Sequence, residues 1–273
     1  MRRLNTKPND DIGSPFGGGM FAKLFDMQKN LYITKVDAPI IPLEDLAKGL
    51  IAITDQQWNQ YAFSRDPING ILTDEDRAQF GELSLACADE YVRKYQSAGG
   101  PAQIAQQMNV RVTYPQRPSV NAMEANRVLF ARYSTPGEIE VFTDCTDLAE
   151  KAFATEAMRN ILGDVNIKDV LLCHEMFHHL EELDAKTIYT ENARKERKIF
   201  HLIPNPARIS CLGEIAAMRF AKGILNLPYS PYIFDVLLAY LYDKQVACNL
   251  YAKIQQMFGL QEAIGLEAAD KEE

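Results

Sequence analysis

The sequence predicts an α+β fold that is mainly helical and carries a small three-stranded sheet. Apolar residues recur at helical spacing through both the first and the last part of the chain. Residues 109–142 between them show the alternation and turn residues that are typical of short strands. The resulting order is helices, then a sheet, then helices, which is an α+β arrangement.

The N-terminal part of the chain predicts a leader followed by a helical extension. Residues 1–19 contain a Ser-Pro pair and a run of three glycines, which is typical of a flexible segment. Residues 20–80 follow as the extension, and within it residues 42–61 carry leucines and isoleucines at helical spacing. We expect Trp58, near the end of that helix, to pack in the core.

Further helices are expected wherever an apolar period follows a start signal. Acidic residues after Thr73, and proline at the first position after Asn205 and Ser230, are such signals. Asn166 or Asp164 can cap the helix that ends near residue 183. The expected ranges are 73–97, 101–108, 147–162, 166–183, 206–225, 231–242 and 245–258.

Three short strands are expected at residues 109–114, 128–133 and 138–142. The Pro-Gly pair at 136–137 predicts a hairpin between the last two. Residues 186–205 are polar and are predicted to be irregular, with the charge run at 194–198 forming a solvated face.

Composition narrows the classes of function. The 273 residues carry a net charge of −8, and no basic patch indicates a nucleic-acid surface. The five cysteines are odd in number and include no C-x-x-C, so we expect a reducing compartment. No secretory signal and no run of about 18 apolar residues is present, so we expect a cytoplasmic protein without a membrane partner. The sequence carries no signal for an oligomeric state.

The segment from His174 to His178 reads H-E-x-x-H, and only four histidines occur in the whole chain. Histidines four residues apart on a helix share one face, so both imidazoles can reach one Zn²⁺. Glu175 between them can then act as a general base on a water molecule beside the metal. Glu175 is therefore the predicted catalytic residue, and His174 and His178 are predicted metal ligands.

A catalytic zinc usually takes three protein ligands, and Glu214 is the favoured third. Glu214 shares a helical face with Ala217, Met218 and Ala221, and a carboxylate on such an apolar face needs a partner. Asp184, ten residues after His174, is a weaker candidate, because motifs that use that position need glycine where this chain has a glutamate. Two cysteines near the other ligands are further alternatives, although small core residues are the commoner role for them: Cys173 and Cys211.

Several supporting roles stay open. His179 points about 100° away from His178 around the helix, so contact with a ligand or simple exposure is expected. Ligand histidines usually donate their second N–H to a carboxylate or carbonyl. The carboxylate candidates are Asp144, Asp147 and Glu182. Candidates for stabilising an oxyanion are Tyr229, Tyr232, His201 and Arg208.

The pattern L-x-x-H-E-x-x-H, from Leu171 to His178, is followed by E-x-x-A-x-x-F-A-x-x-x-L-x-x-P from Glu214 to Pro228. Together they resemble the ImmA/IrrE-type metallopeptidases over about residues 85–230. The chain departs from that family in the bulky Phe177, in the long insert between the two motifs, and in lacking a recognisable helix-turn-helix.

The resemblance implies a zincin-like peptidase domain over residues 81–262 and leaves 263–273 as an acidic tail. It implies a gluzincin-type site with His174, His178 and Glu214 on Zn²⁺ and Glu175 as base. The implied function is hydrolysis of peptide bonds in a protein partner, including transcription regulators. The alternatives are a non-catalytic zinc-binding regulatory module of the same fold and a zinc hydrolase for small non-peptide substrates.

Overall fold

The computed structural model describes residues 37–116, 130–199 and 203–259. It is mostly helical with a small three-stranded mixed sheet, which confirms the α+β prediction. The expected leader and acidic tail lie outside these residues. One hydrophobic core runs from Ala38 to Ile254, and the boundary expected after residue 80 falls inside a helix.

The first two helices are α1 (Leu43–Ile51) and α2 (Asp55–Ser64). The prediction of one helix over 42–61 was wrong, because Thr54 interrupts it. The Thr54 hydroxyl accepts from Gln57 N, and the Gln57 side chain accepts from Thr54 N, so a capping box starts α2 afresh. Trp58 is buried, as expected.

The long helix α3 (Asp74–Tyr95) begins at its Thr73 cap, and α4 (Pro101–Gln107) has proline in its first turn. Both confirm the sequence prediction. The three strands follow as β1 (Arg111–Thr113), β2 (Ala131–Ser134) and β3 (Glu138–Val141).

The sheet order is β1-β3-β2. β2 and β3 pair antiparallel, with Tyr133 opposite Ile139, which confirms the hairpin. β1 pairs parallel with β3. β2 therefore lies at one edge of the sheet among the described strands. The expected first residues of this strand, 128 and 129, are not among the described positions.

The next prediction, one helix over 147–162, was also wrong. The chain forms α5 (Thr143–Phe153) and α6 (Glu156–Leu162), since the hydroxyl of Thr155 accepts from Met158 N and starts the second helix. The following helix, α7 (Ile167–Leu183), is as predicted. Asn166 rather than Asp164 caps it, because its side chain accepts from the N–H groups of residues 168 and 169.

Residues 186–205 are more ordered than predicted. A short helix, α8 (Tyr189–Asn192), is followed by two antiparallel strand pairs. These pairs join β4 (Arg194–Lys195) to β7 (Ala207–Arg208), and β5 (Lys198–Ile199) to β6 (Ile203–Pro204). Because residues 207 and 208 pair with β4, the next helix begins at Cys211 and not at the expected 206.

That helix, α9 (Cys211–Ile224), packs between α3 and α7. The last helices, α10 (Ile233–Tyr242) and α11 (Lys244–Met257), lie close to their predicted ranges. α7 contacts α9 as well as β2 and β3. Two sides of α7 are thus covered, one by a helix and one by the sheet. None of the described helices is both long enough and apolar enough to cross a membrane.

Candidate metal centre

Three side chains from α7 and α9 converge on one point. The Nε2 atoms of His174 and His178 lie 3.2 Å apart. Glu214 places Oε2 3.3 Å from His174 Nε2 and Oε1 3.8 Å from His178 Nε2. Ligand atoms about 2.0–2.1 Å from a tetrahedral zinc lie about 3.3 Å from one another. The cluster therefore has the spacing of a site that can hold a metal ion, and its ligand set of two imidazoles and one carboxylate is one that zinc accepts.

The two histidines share a face of α7 because of their spacing, and Glu214 reaches them because α9 packs against α7. His174 and His178 lie one turn apart on α7, with His174 fully buried and the side chain of His178 16 % exposed. Glu214 lies in the first turn of α9, and its side chain is 12 % exposed. Burial on this scale leaves the carboxylate few water partners, so the cluster favours a bound cation.

Glu181 is the carboxylate that contacts the predicted ligand His178, and the sequence did not indicate it. Its Oε2 lies 2.8 Å from His178 Nδ1, and its Oε1 accepts from the hydroxyl of Thr190 on α8. A neutral His178 would then donate from Nδ1 and leave Nε2 free for a metal. Its position three residues after His178 was the available signal, but three carboxylates within the four residues 181–184 made the choice ambiguous.

The three carboxylates proposed for this role are engaged elsewhere, so that prediction was wrong. Asp144 accepts from the neighbouring Cys145 N, and Asp147 pairs with Lys168 at 3.0 Å. Glu182 accepts from the hydroxyl of Tyr133.

Three carboxylates, those of Glu181, Glu214 and Glu175, give His178 strongly negative surroundings. Burial by itself lowers the pKa of His178. The hydrogen bond to Glu181 and the charge of Glu214 outweigh that effect and raise the pKa to about 10. The same two carboxylates that attract a proton would attract a metal cation in its place.

Glu175 is buried beside the ligands and is held through one oxygen. Its Oε2 accepts from Tyr133 N on β2 at 2.9 Å. Its Oε1 has no hydrogen-bond partner within the described parts of the chain. A buried carboxylate oxygen without a partner is costly, and such atoms occur where chemistry uses them.

His179 faces the sheet rather than the ligands. It is buried, its Nε2 donates to Met108 O at 3.2 Å, and its Nδ1 lies 3.0 Å from the Tyr133 hydroxyl. The expectation of exposure was wrong, and its hydrogen bonds run to the strand side of α7.

The alternative third ligands lie outside the cluster. Asp184 ends α7 and accepts from the Tyr91 hydroxyl at 2.6 Å. Cys173 and Cys211 are buried, and burial raises the pKa of both thiols. Cys211 lies at the start of α9, where its N–H donates to Asp66. Both cysteines thus behave as core residues.

The oxyanion candidates separate clearly. Tyr229 donates to Leu162 O at 2.7 Å and is engaged. Arg208 pairs with Glu191, and residue 201 lies outside the described ranges. Tyr232 is buried, and its hydroxyl has no hydrogen-bond partner among the described residues.

Tyr232 lies close enough to the metal cluster for the charge of Glu214 to act on its phenol. Its ring stacks on Trp58 at 5.5 Å between centroids. Burial and the charge of Glu214 raise its pKa. The phenol therefore stays a hydrogen-bond donor at neutral pH. Of the four candidates, Tyr232 is the best suited to stabilise an oxyanion.

A second buried polar group lies behind the cluster and was not predicted. Asp235 is the single charged residue of the apolar helix α10, and it is fully buried. Arg65 Nη1 lies 3.4 Å from Asp235 Oδ2, and the Tyr61 hydroxyl donates to the same oxygen at 3.3 Å. Burial raises the pKa of Asp235 to about 6, while Arg65 opposes that change. The available signal in the sequence was a single aspartate within an otherwise apolar helix, which indicates a buried charged group.

Comparison of the chain with protein-family models, with curated proteins and with solved structures finds no match. The family resemblance therefore stays a prediction.

Proposed function

We propose that this protein is a zinc-dependent metallopeptidase that hydrolyses peptide bonds of a protein partner in the cytoplasm. The observation that carries the proposal is the cluster of His174, His178 and Glu214 beside the half-engaged carboxylate of Glu175. The resemblance to ImmA/IrrE-type peptidases and the zincin-like core belong to the same proposal, and they suggest a transcription regulator as one class of partner.

Each side chain has a distinct part in the proposed reaction. His174, His178 and Glu214 would hold a Zn²⁺, which would act as a Lewis acid on a water molecule and a peptide carbonyl. Glu175 Oε1 takes the proton of the attacking water and returns it to the leaving amine, while Tyr133 N–H holds Oε2. Glu181 keeps the Nδ1 proton of His178 in place so that Nε2 stays available.

Tyr232 is the proposed donor to the oxyanion that forms on the substrate. A buried hydroxyl without a partner can donate to a developing negative charge without first breaking another hydrogen bond. Its raised pKa keeps the proton on the phenol at neutral pH.

The alternative is a zinc-binding regulatory module that does not catalyse. The small exposure of the ligands favours it, since the side chain of His174 is 0 % exposed and those of His178 and Glu214 are 16 % and 12 % exposed. Against it, structural zinc sites usually have four protein ligands. Three ligands with a carboxylate base beside them fit a catalytic centre better.

The deciding experiment compares wild type with Glu175→Gln. Both proteins are expected to carry about one zinc per chain, measured by mass spectrometry of the purified protein. New peptide N-termini are then labelled in cell extracts that express each form, and a small-amide panel is assayed in parallel. Cleavage sites that need Glu175 support the peptidase, and hydrolysis of small amides alone points to a non-peptide hydrolase. If both forms have equal biological activity and neither cleaves a substrate, the proposed peptidase is wrong and the regulatory module is supported.

A further inference from the structure

The helix α7 carries two parallel rows of functional side chains. His174, His178 and Glu181 follow one row, at spacings of four and three residues, and meet α9 and α8. Glu175, His179 and Glu182 follow the neighbouring row at the same spacings. All three members of this second row contact one residue of the sheet, Tyr133.

Tyr133 holds that second row at both ends. Its backbone N–H donates to Glu175 Oε2 at 2.9 Å. Its hydroxyl donates to Glu182, lies 3.0 Å from His179 Nδ1, and accepts from Gly137 N at 3.3 Å. Burial and the hydrogen bond to Glu182 raise the pKa of Tyr133, so the phenol stays protonated and keeps donating.

We infer that Tyr133 is a positioning residue, whose phenol anchors β2 on α7 so that its own N–H fixes the carboxylate of Glu175. β2 pairs with β3 on one side only, within the described sheet. Its distance from α7 therefore depends on side-chain contacts, and the phenol supplies the contact that lies on the same residue as the N–H.

The anchor is itself braced from the opposite side. His179 Nε2 donates to Met108 O, at the end of α4, and so fixes the imidazole against which the phenol rests. Gly137, in the hairpin turn, has a φ of 66° and would place a Cβ 3.5 Å from His179 Cε1. Gly137 therefore lies over the imidazole, where even a Cβ would be in ordinary van der Waals contact with the ring, and the ring, the turn and the strand form one packed unit.

This inference rests on the proposed function, because positioning matters only if Glu175 acts beside a bound metal. The test uses Co²⁺ as a spectroscopic probe in the full-length chain. Absorption spectra are recorded from about pH 5 to about pH 9, where the ligand shell of such an ion titrates. Wild type is compared with Tyr133→Phe, with Glu175→Gln, and with Glu182→Gln, a milder change at an exposed residue that weakens the same anchor.

The matched control is Tyr91→Phe. Tyr91 donates to Asp184 at 2.6 Å, so this variant also removes one tyrosine–carboxylate hydrogen bond near the C-terminal end of α7. It does not touch β2 or Glu175. Thermal unfolding of each variant is measured first, and if Tyr133→Phe does not fold, Glu182→Gln decides.

We expect the spectral transition of Tyr133→Phe to move by about half a pH unit toward that of Glu175→Gln, since one modest hydrogen bond is lost. Tyr91→Phe should keep the wild-type transition. A wild-type transition in both Tyr133→Phe and Glu182→Gln overturns the inference while leaving the metal centre intact. A shift of equal size in Tyr91→Phe also overturns it, because the effect would then be general to α7. Failure of the wild-type chain to bind Co²⁺, or identical transitions in wild type and Glu175→Gln, removes the proposed function and this inference with it.

Discussion

Gly213 and Glu181 meet so closely that a Cβ on Gly213 would lie 2.5 Å from Glu181 Oε1. A glycine at this position allows the first turn of α9 to approach α7. The approach brings Glu214, the next residue, to within 3.3 Å of His174. The absence of a side chain at Gly213 therefore allows both the proposed third ligand, Glu214, and Glu181 to lie beside the histidines.

Gly213→Ala should weaken metal binding about 10- to 100-fold, because the added methyl displaces Glu181 from His178. Zinc affinity is measured by competition with a chromophoric chelator. The matched control is Gly70→Ala, since nothing lies within 4 Å of a Cβ at that position. Equal affinity in Gly213→Ala and wild type would show that Glu181 is not needed to orient the ligand.

Glu214→Ala should reduce the zinc content from about one ion per chain to near zero, since two histidines alone rarely retain zinc. Asp184→Ala should keep the full content, because Asp184 bonds to Tyr91 and lies outside the cluster. Metal content of the purified proteins is measured by mass spectrometry. Loss of zinc in Asp184→Ala with retention in Glu214→Ala would reverse the assignment of the third ligand.

The ligand cluster could be predicted because its signals are local. Four-residue spacing puts His174 and His178 on one helix face whatever the rest of the fold does. Glu214 could be identified as a carboxylate on an apolar helix face. Because burying such a carboxylate without a partner is costly, a contact with the histidines could be expected.

The supporting residues could not be predicted because their roles depend on contacts distant in sequence. Glu181 is identified only by Thr190 on the unexpected helix α8 and by the close approach of α9. Asp235 is explained by Arg65, 170 residues earlier. Local capping also overrode apolar periodicity at Thr54, where one predicted helix became two.

Removal of the metal should lower thermal stability. An ion present at about 100 times its dissociation constant stabilises the folded state by about 2.7 kcal/mol, which corresponds to several degrees in a chain of this size. Melting curves are recorded with zinc and with a chelator. In Glu214→Ala the two curves should coincide, and a chelator effect that persists there would place the stabilising ion elsewhere.

Asp235 should make stability fall as the pH rises through about 6. Its pKa is raised from 3.8 to about 6, so the folded state holds the proton more tightly than the unfolded chain does. This stabilising contribution is complete below about pH 4 and is lost as the pH approaches and passes 6, an effect on the order of 3 kcal/mol.

Asp235→Asn cannot titrate, so the free energy of unfolding of wild type minus that of the variant should decrease over this interval. Urea unfolding of both proteins in chelator measures it. Asp45→Asn is the control, since Asp45 lies at the surface in an ion pair with Lys48, and its stability difference from wild type should not show this fall. A pH-independent difference for Asp235→Asn would mean that Arg65 keeps the buried aspartate ionised throughout.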